Sequence, residues 1–199
     1  MKQLRQESIC MLFSFNIDDL FSKQNSFVKA ILENDFEHAQ RLAQTLTNLD
    51  FIFSLSNHRL EKEGEITPIH LIAFTGHLTF LSLFESINWS AQSSKTQANA
   101  LHFAVLGNQS DAAHLIIQNK VELRDLTNLY GETPLHLAVR LDSTECLNIL
   151  LQSRFNFPLP KISIKDNYGS TPLFEAVCSD NRVAIKLLLD AGFSLNDIN

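Results

Sequence analysis

The 199-residue chain is 45% hydrophobic and 19% charged, a balance typical of a folded globular protein with an apolar core. A formal net charge of −6 argues against broad binding to nucleic-acid phosphates, which requires clustered Lys and Arg. Cys10, Cys146 and Cys178 are too few and too widely spaced for a disulfide framework or a C-x-x-C metal motif, so they are interpreted as reduced thiols. No apolar run is long enough to span a membrane, and we expect no membrane insertion.

Residues 1–56 are predicted to form an N-terminal helical cap. Apolar spacing favours a short helix over residues 12–21. It also favours a helix pair over residues 27–32 and 36–46, with an Asn-Asp turn between the two helices. We interpret residues 26–48 as a degenerate repeat within this cap.

Four similar segments follow, and they begin at Thr67, Asn99, Thr133 and Thr171, at intervals of 32, 34 and 38 residues. Three of them open with Thr-Pro, in which Thr caps a helix start and Pro fits the first helical position. A second helix is predicted after a short polar turn, from apolar residues at three- and four-residue spacing. One such pair cannot cover its own apolar face, so neighbouring pairs are expected to stack.

Residues 133–138 read Thr-Pro-Leu-His-Leu-Ala, and residues 188–196 read Leu-Leu-Asp-Ala-Gly-Phe-Ser-Leu-Asn. Both stretches resemble the ankyrin repeat, whose signature for the first helix is Thr-Pro-Leu-His-x-Ala. The resemblance implies an all-α ankyrin-repeat solenoid of helix-turn-helix repeats with short hairpin loops. Residues 57–199 would hold four repeats, at about 57–90, 91–124, 125–160 and 161–199.

The repeats depart from the family pattern at several positions. Asn99-Ala100 replaces Thr-Pro in repeat two, Phe174 replaces His in repeat four, and an extra segment around residues 157–160 lengthens repeat three. The chain also has only six glycines. Because Asn enters left-handed conformations more readily than other non-glycine residues, we expect Asn to stand in for Gly at Asn88, Asn119 and Asn128.

Few residues suggest chemistry. His70, His102 and His136 lie one repeat apart, roughly 10 Å by helix-packing distance, which is too far to share a metal. The resemblance implies that these histidines are structural and form hydrogen bonds across the loops. Catalysis by Cys178 would need a nearby His, which repeat four lacks. The acidic residues 61–65 are interpreted as a solvated hairpin tip and not as an acid/base pair.

The resemblance places partner binding at the hairpin tips and on the concave face formed by the first helices. Tyr130 and Tyr168 are the most notable tip residues, because Tyr is favoured in binding hot spots; the alternative is that they pack against each other across adjacent hairpins. Arg140 and Lys165 would be available to an acidic partner group. The partner-binding residues implied are Phe74, Leu106, Asn128, Leu129, Tyr130, Glu132, Arg140, Leu141, Lys165, Asn167, Tyr168, Ser170 and Cys178.

The predicted function is that of a protein–protein interaction module that binds a target protein. No phosphate-binding, dinucleotide-binding, zinc-protease or hydrolase motif occurs. We therefore expect no enzyme activity, no catalytic residue, no cofactor and no metal. The alternative is the substrate-recognition part of a larger enzyme whose catalytic domain is absent from this chain or poorly readable in it.

The setting is predicted to be cytoplasmic. Diverged repeats rich in Phe and Asn also resemble those of effectors that intracellular bacteria deliver into host cells, where this chain would act in the host cytosol. An A/T-rich genome explains the same composition equally well, so both interpretations stay open.

The chain stops where another ankyrin hairpin would begin. The last helix pair is expected to leave Leu187, Leu188 and Phe193 on an open face. We interpret the chain as a fragment of a longer protein, or as one whose last face is covered by a partner or a second copy.

Overall fold

A computed structural model describes residues 23–44, 46, 49, 51–55, 60–151 and 164–194. The helix predicted over residues 12–21, the thiol of Cys10 and the extra segment around residues 157–160 lie outside the described residues.

The predicted helix pair of the cap is confirmed. Helix α1 spans Lys23–Glu33 and helix α2 spans Phe36–Ala43. Asn34 takes a left-handed conformation in the turn, with a φ of 56°. Asp35 then caps α2, because its carboxylate accepts the His38 amide at 3.0 Å. Phe27 of α1 is fully buried and anchors the cap.

The segment between the cap and the first repeat, which showed no clear pattern in the sequence, contains a minimal sheet. Strand β1, Phe53–Ser54, pairs antiparallel with strand β2, Glu65–Ile66. A 3-10 helix over Glu61–Glu63 precedes β2. Strands of two residues are too short to show an alternating pattern, which is why the sequence did not reveal them.

Four helix pairs follow and stack in order. Each first helix packs against the second helix of its own repeat, and the first helices of neighbouring repeats pack against each other. The expected all-α solenoid of helix-turn-helix repeats is confirmed. The pairs are α3 (Pro68–Thr75) with a 3-10 helix (Leu78–Leu83), α4 (Ala100–Leu106) with α5 (Ser110–Asn119), α6 (Pro134–Arg140) with α7 (Thr144–Leu151), and α8 (Pro172–Cys178) with α9 (Arg182–Asp190).

The second helix of repeat one differs from the α-helix that the spacing predicts. It is a 3-10 helix whose start receives no side-chain cap from His77. Instead, Nδ1 of His77 lies 2.8 Å from the Ile31 carbonyl of α1. His77 therefore joins repeat one to the cap and is not available to cap the helix that follows it.

The departure at Asn99 preserves the helix cap. The Asn99 side-chain oxygen accepts the amides of Leu101 and His102 at 2.9 and 3.2 Å. Its Nδ2 also donates to the Leu123 carbonyl at 3.3 Å. Asn99 thus caps the helix in place of the usual Thr. It also donates a side-chain amide hydrogen bond that Thr, which has no amide, could not make.

The expectation that Asn88, Asn119 and Asn128 adopt left-handed conformations is wrong, since none of them has a positive φ. One left-handed residue of each repeat instead lies in the turn between its two helices, where the chain reverses within two residues. Gly76 fills this place in repeat one. Short polar side chains, which tolerate this conformation, fill it in the later repeats, at Asn108, Asp142 and Asp180.

The last repeat closes more tightly than expected. Leu188 is fully buried and Phe193 is 3% exposed, because the Phe193 amide donates to the Leu188 carbonyl and brings the ring back under α9. The predicted open face is therefore wrong for these two residues. Val183 and Leu189 are the exposed apolar residues of α9.

No helix in the described ranges is both long enough and apolar enough to cross a membrane.

Candidate functional site

A cavity of about 500 Å³ opens on the side of the solenoid that carries the hairpin tips and the first helices. Its size falls within the range of ligand-binding pockets. We call it the groove. Its floor is formed by His102, Phe103, Leu106, Leu137, Arg140 and Leu141, and its walls are formed by Lys62, Glu63, Thr96, Ala98, Asn128, Tyr130, Glu132 and Tyr168.

The structure brings one part of the predicted partner-binding set together and leaves the other part outside. The members that line the groove are Leu106, Asn128, Tyr130, Glu132, Arg140, Leu141 and Tyr168. The members outside the groove lining are Phe74, Leu129, Lys165, Asn167, Ser170 and Cys178. Participation of either group in binding stays a prediction.

The predicted partner-binding residues outside the groove either contact other parts of the chain or are exposed to solvent. Phe74 packs against the core. The Ser170 carbonyl lies 3.1 Å from Nε2 of His136. Leu129 is exposed at its tip, and Lys165 and Cys178 are exposed as well.

Two hairpin tips, residues 128–132 and 166–170, are held by the same kind of turn. Oδ1 of Asn128 accepts the amides of Tyr130 and Glu132 at 2.9 and 3.0 Å. Oδ1 of Asp166 accepts the amides of Tyr168 and Ser170 at 2.9 and 2.8 Å. Such side-chain-to-backbone bonds fix the turn conformation locally.

Asn167 then ties one tip to the next. Its amide donates to the Tyr130 carbonyl at 2.9 Å, and its Nδ2 donates to the Leu129 carbonyl at 2.9 Å. Tyr168 is 87% exposed. The alternative in which Tyr130 and Tyr168 pack against each other finds little support, because Tyr130 is also 48% exposed and both rings are presented to solvent.

Arg140 and Glu132 form a bidentate ion pair inside the groove. Nε of Arg140 donates to Oε1 of Glu132 at 2.9 Å, and Nη2 donates to Oε2 at 3.1 Å. Asn128 adds a third donor to Oε2 of Glu132, from Nδ2 at 2.9 Å. Arg140 is thus engaged within the chain while 46% of its side chain stays exposed, and its contact with an acidic partner group stays a prediction.

Glu175 of α8 lies beside this pair. Its Oε1 is 3.9 Å from Nε of Arg140, while its Oε2 is buried without a hydrogen-bond partner in the described part of the chain. Burial raises the pKa of Glu175 to about 6, against the opposing effect of the Arg140 charge. The sequence did not single out Glu175, since a Glu in a short amphipathic helix has no distinguishing spacing.

Glu63 was also missed, and the interpretation of residues 61–65 as a solvated tip is wrong at this position. The Thr96 hydroxyl donates to Oε2 of Glu63, and Ser93 Oγ lies 2.8 Å from that hydroxyl. Burial raises the pKa of Glu63, while the hydrogen bonds from Thr96 and Ser93 oppose the shift. The carboxylate is therefore a half-buried part of the groove wall.

The three repeat histidines are structural, as the resemblance implied. Each Nδ1 accepts the amide of its own helix cap, at 3.1 to 3.3 Å. Each Nε2 lies 3.0 to 3.1 Å from a loop carbonyl. Burial lowers all three pKa values, to about 4 for His70 and for His102. The bonds from Nε2 join His70 to Ala91, His102 to Glu132 and His136 to Ser170.

Metal and thiol chemistry find little support in the described ranges. No group of three His, Cys, Asp or Glu side chains there is placed to hold a metal ion. Burial raises the pKa of the Cys146 thiol to about 11, which keeps it protonated. Cys178 is an exposed free thiol.

Comparison with known proteins finds ankyrin repeats similar to part of this chain. A family model described as ankyrin repeats (3 copies) matches residues 108–199. The transient receptor potential cation channel subfamily A member 1 homolog of Caenorhabditis elegans is 28% identical over 88 residues. That alignment covers 44% of this chain but only 7% of the channel homolog, so the similarity concerns a small part of the larger protein.

Proposed function

We propose that this protein is an interaction module. The proposal is supported by the match of residues 108–199 to the ankyrin-repeat family model and by the solenoid that the chain forms. The module binds a target protein through the groove and the two hairpin tips beside it. The observation that carries this proposal is the groove, a cavity of about 500 Å³ whose lining combines apolar and aromatic side chains with charged and polar ones.

The exposed residues at the tips support binding. Leu129, Tyr130 and Tyr168 are 52%, 48% and 87% exposed. Large apolar and aromatic side chains displayed together are a feature of protein-binding surfaces. Tyr contributes a large contact area and one hydrogen bond while losing little conformational entropy.

The hydrogen bonds within the tips support the same conclusion. Asn128, Asp166 and Asn167 hold the tip backbones in place before any partner arrives. A preorganised surface loses less conformational entropy on binding than a mobile one. The tips are thus suited to display Tyr130 and Tyr168 in fixed positions.

We propose that this protein binds its target without catalysing a reaction and without using a cofactor. His102 is the histidine of the groove lining, and both of its ring nitrogens are already used, one by the Asn99 amide and one by the Glu132 carbonyl. A general base needs a free nitrogen within reach of the substrate proton. This arrangement therefore favours a structural role for His102.

We extend the proposal to the cellular setting, which is the cytosol of a host cell that receives the protein as a bacterial effector. The support is the divergence of the repeats from the family pattern and the 15 Phe of the whole chain. A reporter fusion made in the source organism should reach the cytosol of infected cells. Retention of the reporter inside the bacterium would contradict this setting and leave the binding proposal intact.

Affinity capture from a eukaryotic cell lysate tests the binding proposal. The wild-type chain is compared with the double variant Tyr130→Ala and Tyr168→Ala, and with Gln118→Ala, an exposed position on the second helix α5. Thermal unfolding first establishes that all three chains fold equally. We expect the wild type and Gln118→Ala to retain a specific protein that the double variant loses. Equal retention by all three chains would contradict binding through the tips.

A further inference from the structure

The charged side chains of the groove differ in whether they form an ion pair. Arg140 is paired with Glu132 through two hydrogen bonds and also lies near Glu175. Glu63, another residue of the groove lining, has no salt bridge with any residue in the described ranges. Lys62, its chain neighbour, is exposed. Among the described residues, the Glu63 carboxylate thus has no cation within ion-pair distance.

The hydrogen bonds to the Glu63 carboxylate come from neutral donors, and the charges of Arg140 and Glu132 act on it without a direct bond. The Thr96 hydroxyl donates to it, and Ser93 stands behind that hydroxyl. A half-buried carboxylate is best satisfied by a charge-assisted hydrogen bond from an ammonium or guanidinium group. An acidic or phosphorylated partner would instead meet repulsion from Glu63, and Glu132 and Glu175 already occupy Arg140, the cation that such a partner would need.

The groove floor suits the rest of a long basic side chain. Leu106 and Leu141 lie at the helix ends of repeats two and three, and Phe103 lies one turn below Leu106. Lys and Arg pack their aliphatic stems on apolar surface while the charged head reaches a polar group. The lining comes from four consecutive repeats, so its occupant would cross several hairpin tips, as an extended segment does.

From this charge and shape complementarity we infer that the groove takes an extended peptide segment of the target that presents an Arg or Lys side chain to Glu63. A neighbouring apolar side chain of the segment would lie on Leu106 and Leu141. This inference rests on the proposed function and specifies the chemistry of the partner.

The test uses a displayed library of short random peptides as the probe. Selection is carried out on the wild type, on Glu63→Gln and on Glu65→Gln. Gln keeps an oxygen that can accept the Thr96 hydroxyl and removes only the charge. Glu65 is an exposed residue of β2 outside the groove lining and receives the same substitution, so it is the matched control.

We expect the wild type and Glu65→Gln to enrich peptides with Arg or Lys beside an apolar residue. Glu63→Gln should bind those peptides about tenfold more weakly, as expected for loss of a charge-assisted hydrogen bond. Replacing the selected Arg or Lys of the peptide by Gln should weaken binding to the wild type by a similar factor. The same replacement should have little effect on binding to Glu63→Gln.

Three outcomes would overturn the inference. The first is that the selected peptides depend on Tyr130 and Tyr168 but show no basic preference, and the second is that they bind Glu63→Gln as well as the wild type; both outcomes leave the proposed function standing. The third is failure of the wild type to select any peptide over the double tyrosine variant. That failure contradicts the proposed function as well when the lysate capture is also empty.

Discussion

Arg140 donates two hydrogen bonds to the carboxylate of Glu132, eight residues earlier in the chain, and this pair joins the end of helix α6 to the hairpin tip directly before that helix. The Glu132 side chain is only 11% exposed, whereas the Arg140 side chain is 46% exposed. Removal of Arg140 would leave a largely buried carboxylate without its cation. The ion pair therefore holds the repeat-three tip against the groove floor.

The first prediction concerns this pair. Arg140→Ala should lower the free energy of unfolding by about 1–2 kcal/mol, a value reduced from that of a fully buried pair because Arg140 is half exposed. Urea unfolding measures the loss. Arg182→Ala is the matched control, since Arg182 and its partner Asp180 are both more than 80% exposed, and it should cause no measurable change. Equal effects of the two substitutions would contradict the structural role of Arg140.

The second prediction concerns pH. His70 and His102 have a pKa of about 4 in the folded chain and about 6.5 when unfolded. The unfolded chain therefore binds more protons between these values, and stability must fall as the pH falls from about 6.5 to about 4. The two rings together should cost about 3–4 kcal/mol between pH 7 and pH 5. Urea unfolding at pH 7, 6 and 5 measures the change.

Glu175 opposes this trend, because its pKa of about 6 means that the folded chain takes up a proton that the unfolded chain does not. Its contribution has the opposite sign and is about 1 kcal/mol over the same range. The net loss expected for the wild type is thus about 2–3 kcal/mol. A stability that is constant or rises on acidification would contradict the buried neutral histidines.

Replacement of Glu175 gives the third prediction. Glu175→Gln mimics the protonated side chain, so it should raise stability by about 2 kcal/mol at pH 7 and by just under about 1 kcal/mol at pH 5. Its stability should therefore fall more steeply with acid than that of the wild type. The measurement is urea unfolding of both chains at the two pH values. A loss of stability at pH 7 would show that Glu175 gains more from Arg140 than it loses by burial.

The fourth prediction is that a side chain at Gly107 destabilises the fold. A Cβ at this position would collide with the backbone carbonyl of Phe74 in the preceding repeat. Gly107→Ala should therefore lower the free energy of unfolding by about 3 kcal/mol, since a backbone group cannot move aside cheaply. Gly169→Ala is the comparison, because its Cβ would meet nothing within 4 Å and the only cost is a φ of +80°.

For Gly169→Ala we expect a loss of about 1 kcal/mol. Thermal or urea unfolding distinguishes the two glycines. If Gly107→Ala proved the milder substitution, the close contact between repeats one and two would be wrong.

Local chemistry made the repeats predictable from the sequence. Thr133, Pro134 and His136 lie within four residues of one another and jointly form a helix start, so their pattern is visible without any knowledge of the fold. The structural role of the histidines followed from the resemblance, and the hydrogen bond between His102 and Glu132 confirms it.

The groove could be predicted only in outline. Tyr130 and Tyr168 were placed at tips by their register, but Glu63 meets Thr96 across 33 residues, and the sequence contains no sign of that contact. The engagement of Arg140 depends on the direction of a side chain leaving the end of a helix. Such directions follow from packing and not from periodicity, which is why the charge pattern of the groove had to come from the structure.

Hydrogen exchange of the chain, with and without the protein that it captures, tests binding through the groove most directly. We expect the target to slow amide exchange at residues 128–132 and 166–170 and at the C-terminal ends of α4 and α6. The exchange rates of α5 and α7 should stay unchanged. Protection confined to α5 and α7, or no protection in the repeats at all, would contradict binding through the groove.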